Sequence, residues 1–135
     1  MANHESVLST PELAQRYPLA MISPPARNFL NSSFVNVKSL RTIEGRPLLE
    51  MHPDDAAARG IADGSTVRVF NDRGSYECHA EVSTRARPGV VNGLGIWWRK
   101  LGLNGTNVNE VTSQKLTDLG RAPVFYDCLV EVAGL

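Results

Sequence analysis

Apolar and polar residues alternate most clearly between Val67 and Val82. Val67 and Val69 flank Arg68 in strand fashion, and a second strand from Ser75 to Val82 sets Tyr76, Cys78, Ala80 and Val82 on one face. Between them, Asn71-Asp72-Arg73-Gly74 consists of residue types that tolerate turn geometry, so the two strands form a hairpin. Upstream, Pro53 suits a first helical position, and Asp54 and Asp55 suit the positive end of a helix dipole. Arg59-Gly60 closes that helix after roughly two turns, with Gly60 free to adopt the left-handed conformation. Asp63-Gly64 then turns the chain into the Val67 strand.

The pattern extends in both directions. Leu19-Ala20-Met21-Ile22 predicts a buried strand, broken at Ser23-Pro24-Pro25 because proline cannot continue a ladder. Asn31-Ser32-Ser33 offers capping side chains ahead of Phe34, Val37 and Leu40, whose three-residue spacing predicts a short helix. Arg46 to Met51 predicts a further strand, and Pro88-Gly89 precedes the apolar pair Val90-Val91. The region from Gly93 to Gly120, rich in Gly, Asn and Thr, reads as loop. Val124 to Val132 closes the chain as a strand on which Cys128 shares a face with Tyr126, Val130 and Val132. Residues 1–16 are polar, with a helix-start signal at Ser9-Thr10-Pro11-Glu12, and are expected to form a flexible lead-in or linker to a domain at 17–135. Six or so short strands with two short helices favour a small barrel over a sandwich.

Length and charge narrow the function classes. At 135 residues the chain fits one domain, large enough to bury about two thirds of its unfolded surface without disulfide or metal. Lys plus Arg and Asp plus Glu are equal at 14 each with no dense basic cluster, which removes the electrostatic footprint of a nucleic-acid binder. No apolar run approaches the roughly 20 residues of a membrane span, and Met1-Ala2-Asn3-His4-Glu5 lacks a signal-peptide start. The expected location is cytoplasmic, an upstream export signal being the route to any other. Cys78 and Cys128 read as core residues rather than a disulfide. His4, His52 and His79 are scattered and read as surface residues, without zinc-ligand spacing. Asp54-Asp55 reads as helix-start charge and not as a catalytic pair. Gly93-Leu94-Gly95 lacks the remaining residues of a phosphate loop or dinucleotide fingerprint.

The order His52-Pro53-Asp54-Asp55-Ala56, Arg59-Gly60-Ile61-Ala62-Asp63-Gly64, Val67 to Gly74 and Pro88-Gly89-Val90-Val91 resembles the C-terminal dinucleotide-binding domain of the molybdopterin oxidoreductases. That family includes formate dehydrogenases, nitrate reductases and sulfoxide reductases, and the likeness runs from Tyr17 to Val132. It implies a mainly β fold, a double-psi β-barrel of the aspartate-decarboxylase-like kind with a few short helices. It also implies a chain that holds molybdopterin guanine dinucleotide, with molybdenum or tungsten carried by the parent enzyme, and that contributes no catalytic residue or metal ligand itself. The implied partners are the remaining domains or large subunit of that oxidoreductase, with no nucleic acid and no membrane insertion.

Three segments carry the implied site. The first runs from Ile22 to Ser32, where relatives often have His-Ser in place of Asn31-Ser32, and contributes Ser23, Asn31 and Ser32. The second is Trp97-Trp98 followed by Asn107 to Thr112, which looks like the family's Asn-x-Leu-Thr signature with Val111 in the Leu position. It contributes Trp98, Asn107, Asn109 and Thr112. The third is Ala122-Pro123-Val124-Phe125-Tyr126, contributing Tyr126. Amides and hydroxyls both donate and accept, which suits pterin and guanine edges and sugar hydroxyls. Read without the family, the same residues are a helix cap at 31–33, one core and one surface tryptophan, and turn asparagines at 107 and 109. The alternative readings are a free-standing small subunit of such an enzyme or a barrel adaptor without cofactor.

Overall fold

The computed structural model describes residues 5–124 and 126–135, so His4 and Phe125 lie outside the described residues. Helix α1 spans Pro11–Arg16 and β1 Leu19–Ile22; α2 spans Lys38–Glu44 and β2 Leu48–Met51. Helix α3 spans Pro53–Ala57, followed by β3 at Thr66–Asn71, β4 at Gly74–Val82, β5 at Val90–Gly93 and β6 at Cys128–Gly134. Two 3-10 turns, Arg99–Leu101 and Val108–Glu110, interrupt the long connection between β5 and β6.

The strands close into a barrel in the order β1-β5-β2-β4-β3-β6. β1 runs parallel to β5 and β2 parallel to β4, while every other neighbouring pair is antiparallel. Parallel partners distant in sequence require crossing connections, and two such pairs within one closed barrel make the double-psi arrangement. Closure leaves no free sheet edge. Alternation fills the interior: Leu19 and Met21 from β1, Leu49 and Met51 from β2, and Val67 and Val69 from β3 are buried. They meet Tyr76, Cys78, Ala80, Val91, Cys128, Val130 and Val132 in one cluster. Both cysteines are free. Burial pushes each thiol up to about 12 because a thiolate would be desolvated there.

The expected helix at Pro53 forms with Pro53 as its first residue; His52 Nδ1 accepts from the Asp54 N–H at 3.2 Å, and Gly60 sits at φ +64° just beyond it. Four expectations need correction. The helix expected from Phe34 starts instead after Val37, because Asn31 (φ 50°) and Phe34 (φ 72°) hold left-handed backbone and Leu30 and Ser33 exchange hydrogen bonds across a turn. The strand expected from Arg46 begins at Leu48, since Pro47 has no N–H to give a ladder. The closing strand begins at Cys128, not Val124: β1 is four residues long and its pairing with β6 ends at Met21–Cys128, which leaves Tyr126 46% exposed rather than on the core face. His52 and His79 are partly buried rather than on the surface, and His79 Nδ1 is a buried atom without a partner among the described residues.

A second apolar cluster braces the loops. Ala26, Phe29, Val35 and Trp97 are buried together with Leu40, Leu94, Trp98 and Leu101 packed against them. Phe29 meets Trp97 edge to face at 5.1 Å between ring centroids, a favoured aromatic geometry. The lead-in also touches the barrel. α1 lies against β6, Arg16 pairs with Asp72 of the hairpin, and Glu5 reaches Arg73 and the Leu129 N–H. No helix among the described residues is long and apolar enough to cross a membrane.

Candidate functional site

The parallel register of β1 and β5 carries both strands out of the barrel at the same end, where Pro25 and Gly95 extend the pairing by one bridge. Gly95 N–H donates to the Pro24 carbonyl at 3.0 Å, and the Ala26 N–H returns to the Gly95 carbonyl. The two outgoing loops are thereby fastened side by side. Between them and the 107–113 segment opens a cleft of about 370 Å³, lined by Ser23, Asn31, Ile96, Asn109, Thr112, Ser113 and Pro123.

Four of the eight residues singled out from sequence, Ser23, Asn31, Asn109 and Thr112, come together on this cleft from two separate segments of the chain. Asn31 is held in left-handed backbone, a conformation that Asn adopts more readily than most residues. Its carbonyl accepts from the Ile96 N–H at 3.4 Å. Asn109 sits in the 3-10 turn, and Thr112 Oγ1 closes that turn onto the Asn109 carbonyl at 3.4 Å. Neither the Asn31 nor the Asn109 side-chain amide bonds to any described residue, and both residues are exposed. These are donor–acceptor groups presented to the cleft and unspent by the fold.

The other four do not line it. Asn107 is committed to structure at both ends of its amide: Oδ1 accepts from the Asn109 N–H at 3.0 Å and Nδ2 donates to the Trp97 carbonyl at 2.9 Å. Trp98 donates Nε1–H to the Ser32 carbonyl at 2.8 Å and lies under Lys100 Nζ at 4.9 Å. Those bonds make Asn107 and Trp98 braces of the loops that carry Asn109 and Asn31. Ser32 is exposed outside the lining and serves through its carbonyl, and Tyr126 stands apart on the exposed approach to β6. Trp97 is the core ring of the pair and Trp98 the partly exposed one.

Ile96, Ser113 and Pro123 line the cleft without having been singled out. Pro123 falls within the third sequence segment, three residues before the one chosen there, and Ser113 adjoins Thr112. Ile96 carried no chemical signal. An adjoining depression of about 720 Å³ shares Asn109, Thr112 and Ser113 and adds Arg73, Glu110, Gln114 and Lys115. Lys115 therefore brings positive charge beside the cleft, while Arg73 is engaged by Glu5 at 2.5 and 3.0 Å and Glu110 by Arg99 at 2.6 Å. Among the described residues no group of three His, Cys, Asp or Glu is placed to hold a metal.

Comparison with known proteins identifies the family and the fold. A family model described as the molydopterin dinucleotide binding domain matches residues 19–129. The chain is 40% identical over 119 residues to a Halobacterium salinarum protein named for the catalytic subunit of dimethyl sulfoxide reductase, covering 88% of this chain and 14% of that protein. It is 34% identical over 124 residues to the dimethyl sulfoxide reductase DmsA of Escherichia coli, covering 89% of this chain and 15% of that one. Among solved structures, acetylene hydratase from Pelobacter acetylenicus superposes with a TM-score of 0.84 at 19% identity, over 97% of this chain and 20% of that chain. At that identity the likeness speaks for the fold. The chain thus spans only about a seventh of the length of the two reductases it matches.

Proposed function

Because this chain belongs to the molydopterin dinucleotide binding domain family of the molybdopterin oxidoreductases, we propose that its cleft between the β1 and β5 exits and the 107–113 segment holds the molybdopterin guanine dinucleotide. The observation that carries this is the pair of unspent amides, Asn31 and Asn109, facing one cleft beside the hydroxyl residues Ser23, Thr112 and Ser113. An amide can donate and accept at once, which matches a pterin or guanine edge or a sugar hydroxyl. Lys115 on the adjoining surface adds the positive charge that suits a pyrophosphate. The residues present fit the group.

When bound, the cofactor supplies the metal and the pterin that carry electrons, and protein supplies binding, orientation and electrostatics. This chain's residues bind and orient. Asn107 and Trp98 hold the two amide-bearing loops in place, and Asn31 and Asn109 fix the ligand's polar edges. Its partner in this reading is the remainder of a larger molybdenum or tungsten oxidoreductase, either joined in one polypeptide or as a large subunit. Substrate and metal ligand belong to that remainder.

Native protein captured from source cells should carry about one molybdenum or tungsten per chain by elemental mass spectrometry, and the mass of the metal-bearing polypeptide distinguishes fused domain from subunit. A metal-free capture overturns the reading in favour of a cofactor-free adaptor. The double variant Asn31→Ala, Asn109→Ala should lower cofactor content; unchanged content removes these two residues from the site.

A further inference from the structure

The 107–113 segment is held from behind by the hairpin that joins β3 to β4. Two side-chain donors converge on one backbone acceptor, the Val111 carbonyl: Arg73 Nε at 2.7 Å and Asn71 Nδ2 at 2.9 Å. Val111 itself is fully buried, and its carbonyl lies in the peptide that leads into Thr112 of the cleft. Asn71 is fully engaged, since Nδ2 also donates to the Leu129 carbonyl at 3.1 Å and Oδ1 accepts from the Arg73 N–H at 3.0 Å.

The reason for this arrangement lies in the sheet. β3 ends at Asn71 and its pairing with β6 stops at Phe70–Glu131, so the peptide groups of Leu129 have no β3 residue opposite them. The Asn71 amide takes the Leu129 carbonyl and Glu5 Oε2 takes the Leu129 N–H at 3.1 Å. Glu5 also grips the outer nitrogens of Arg73, leaving Nε to face Val111. The hairpin makes a second approach at Gly74, where a Cβ would lie 2.9 Å from the Glu110 carbonyl oxygen. That position admits a residue without a side chain and brings the hairpin backbone against the loop.

We infer that Asn71, Arg73 and Gly74 are positioning residues for the Asn109–Ser113 side of the cleft, with Glu5 of the lead-in keeping Arg73 aimed at Val111. They set the loop through the Val111 carbonyl and the close approach at Gly74, and Arg73 also lines the adjoining depression beside Lys115. This deepens the cofactor reading and rests on it for its consequence in binding. It yields a specific asymmetry between two ion pairs on the same hairpin. Arg16–Asp72 ties α1 to the hairpin tip and makes no bond to the loop, whereas Glu5–Arg73 continues through Nε into Val111.

The test compares Arg73→Gln with Arg16→Gln in the 135-residue chain. Amide hydrogen exchange is followed by NMR, and guanosine diphosphate serves as the binding probe. Arg73→Gln should speed exchange at Val111, Thr112 and Ser113 at least tenfold and weaken binding about fivefold, while Arg16→Gln leaves both unchanged at comparable loss of thermal stability. Gly74→Ala should shift the Glu110 and Val111 resonances in a fold whose β-strand resonances stay put. Glu5→Gln, a milder change, should move exchange in the same direction as Arg73→Gln and covers the case in which the arginine variant fails to fold. Equal exchange at 111–113 in the Arg73, Glu5 and Arg16 variants overturns the inference. If wild-type chain shows no response to the nucleotide at the cleft while the exchange asymmetry holds, the positioning stands and the cofactor assignment falls.

Discussion

Strand β4 and the segment from Asn107 to Ser113 lie against each other and are built on opposite principles. β4 buries Tyr76, Cys78 and Ala80 at every second residue, and its backbone groups are taken up by ladders to β2 and β3. The 107–113 segment has no ladder. It inserts two valines, Val108 and Val111, as anchors and fixes the rest with side chains reaching backbone: Asn107 to the Asn109 N–H and the Trp97 carbonyl, Asn71 and Arg73 to the Val111 carbonyl. The barrel wall is secured by burial, which is non-directional and tolerant of detail. The 107–113 side of the cleft is fixed by directed hydrogen bonds from the side chains of Asn71, Arg73 and Asn107. Burial therefore governs whether the chain folds, and the directed bonds govern where Asn109 and Thr112 stand.

The largest effect expected from separating the two comes from the barrel wall. Leu49 is fully buried in the barrel interior. Leu49→Ala should cost about 3 kcal/mol and lower Tm by about 10 °C, as for other large-to-small core changes in a domain of this size. Affinity of the remaining folded molecules for guanosine diphosphate should be unchanged. A loss of affinity in the folded fraction would show that wall packing and cleft geometry are one system.

Two neighbouring asparagines sharpen the contrast. Asn107→Ala removes a turn cap and a bond to the Trp97 carbonyl, so it should cost about 1–2 kcal/mol of stability and weaken nucleotide binding as well. Asn109→Ala removes an exposed amide with no partner among the described residues, so stability should stay within about 0.5 kcal/mol while affinity falls about fivefold. Thermal melts and titration calorimetry on the two variants check the split. If both variants lose stability equally, Asn109 is a fold residue and the distinction between brace and ligand contact fails.

The same contrast explains what could be read from the chain. Val67, Val69, Tyr76, Cys78 and Ala80 were legible because a strand with one buried face repeats every second residue. The crossing order that sets β1 beside β5 was not legible from periodicity, since pairing between distant strands leaves no local trace; the family resemblance supplied the type of barrel and not the pairing. In the cleft, Asn31, Asn109 and Thr112 were legible as chemistry, but the division of labour between Asn107 and Asn109 was not. Both are asparagines in a turn-rich segment, and only the bonds to Asn109 N–H and Trp97 show that one is spent and the other free. The helix misplaced at Phe34 has a similar origin. A three-residue spacing of apolar residues also arises in a turn with left-handed Asn31 and Phe34, and spacing does not report φ.

A smaller effect tests the lead-in's hold on Arg73. Burial pushes the Glu5 carboxyl up, but the Arg73 guanidinium and the Leu129 N–H outweigh it, and the group lies below its ordinary value of 4.5. A depressed folded-state pKa contributes stability that is complete above the unfolded value and is lost as pH falls below it. The stability difference between wild type and Glu5→Gln should thus be constant from neutral pH down to about pH 5 and shrink below 4.5 toward the folded value. Urea titrations across that range measure it. A difference that does not change with pH would mean Glu5 acts by packing and not through its charge.

The smallest perturbation reads both regions at once without altering stability. Cys78 and Cys128 are buried in the barrel wall, and burial pushes both thiols up to about 12. At about pH 8 they should stay unmodified by a thiol reagent except through unfolding, because the thiolate is the reacting form. Gln114 is exposed at the end of the cleft segment, so the thiol of a Gln114→Cys variant should react at once in the folded chain. Higher pH should erode stability through the wall thiols. Their folded-state values stand above the ordinary 9.0, so the contribution that favours the fold is complete below pH 9 and is lost between pH 9 and about 12. Mass spectrometry after brief labelling separates the three sites. If Cys78 or Cys128 labels at that pH as fast as the introduced thiol, the barrel wall opens locally, and its burial would not be the cooperative, all-or-none support that the directed bonds of the cleft depend on.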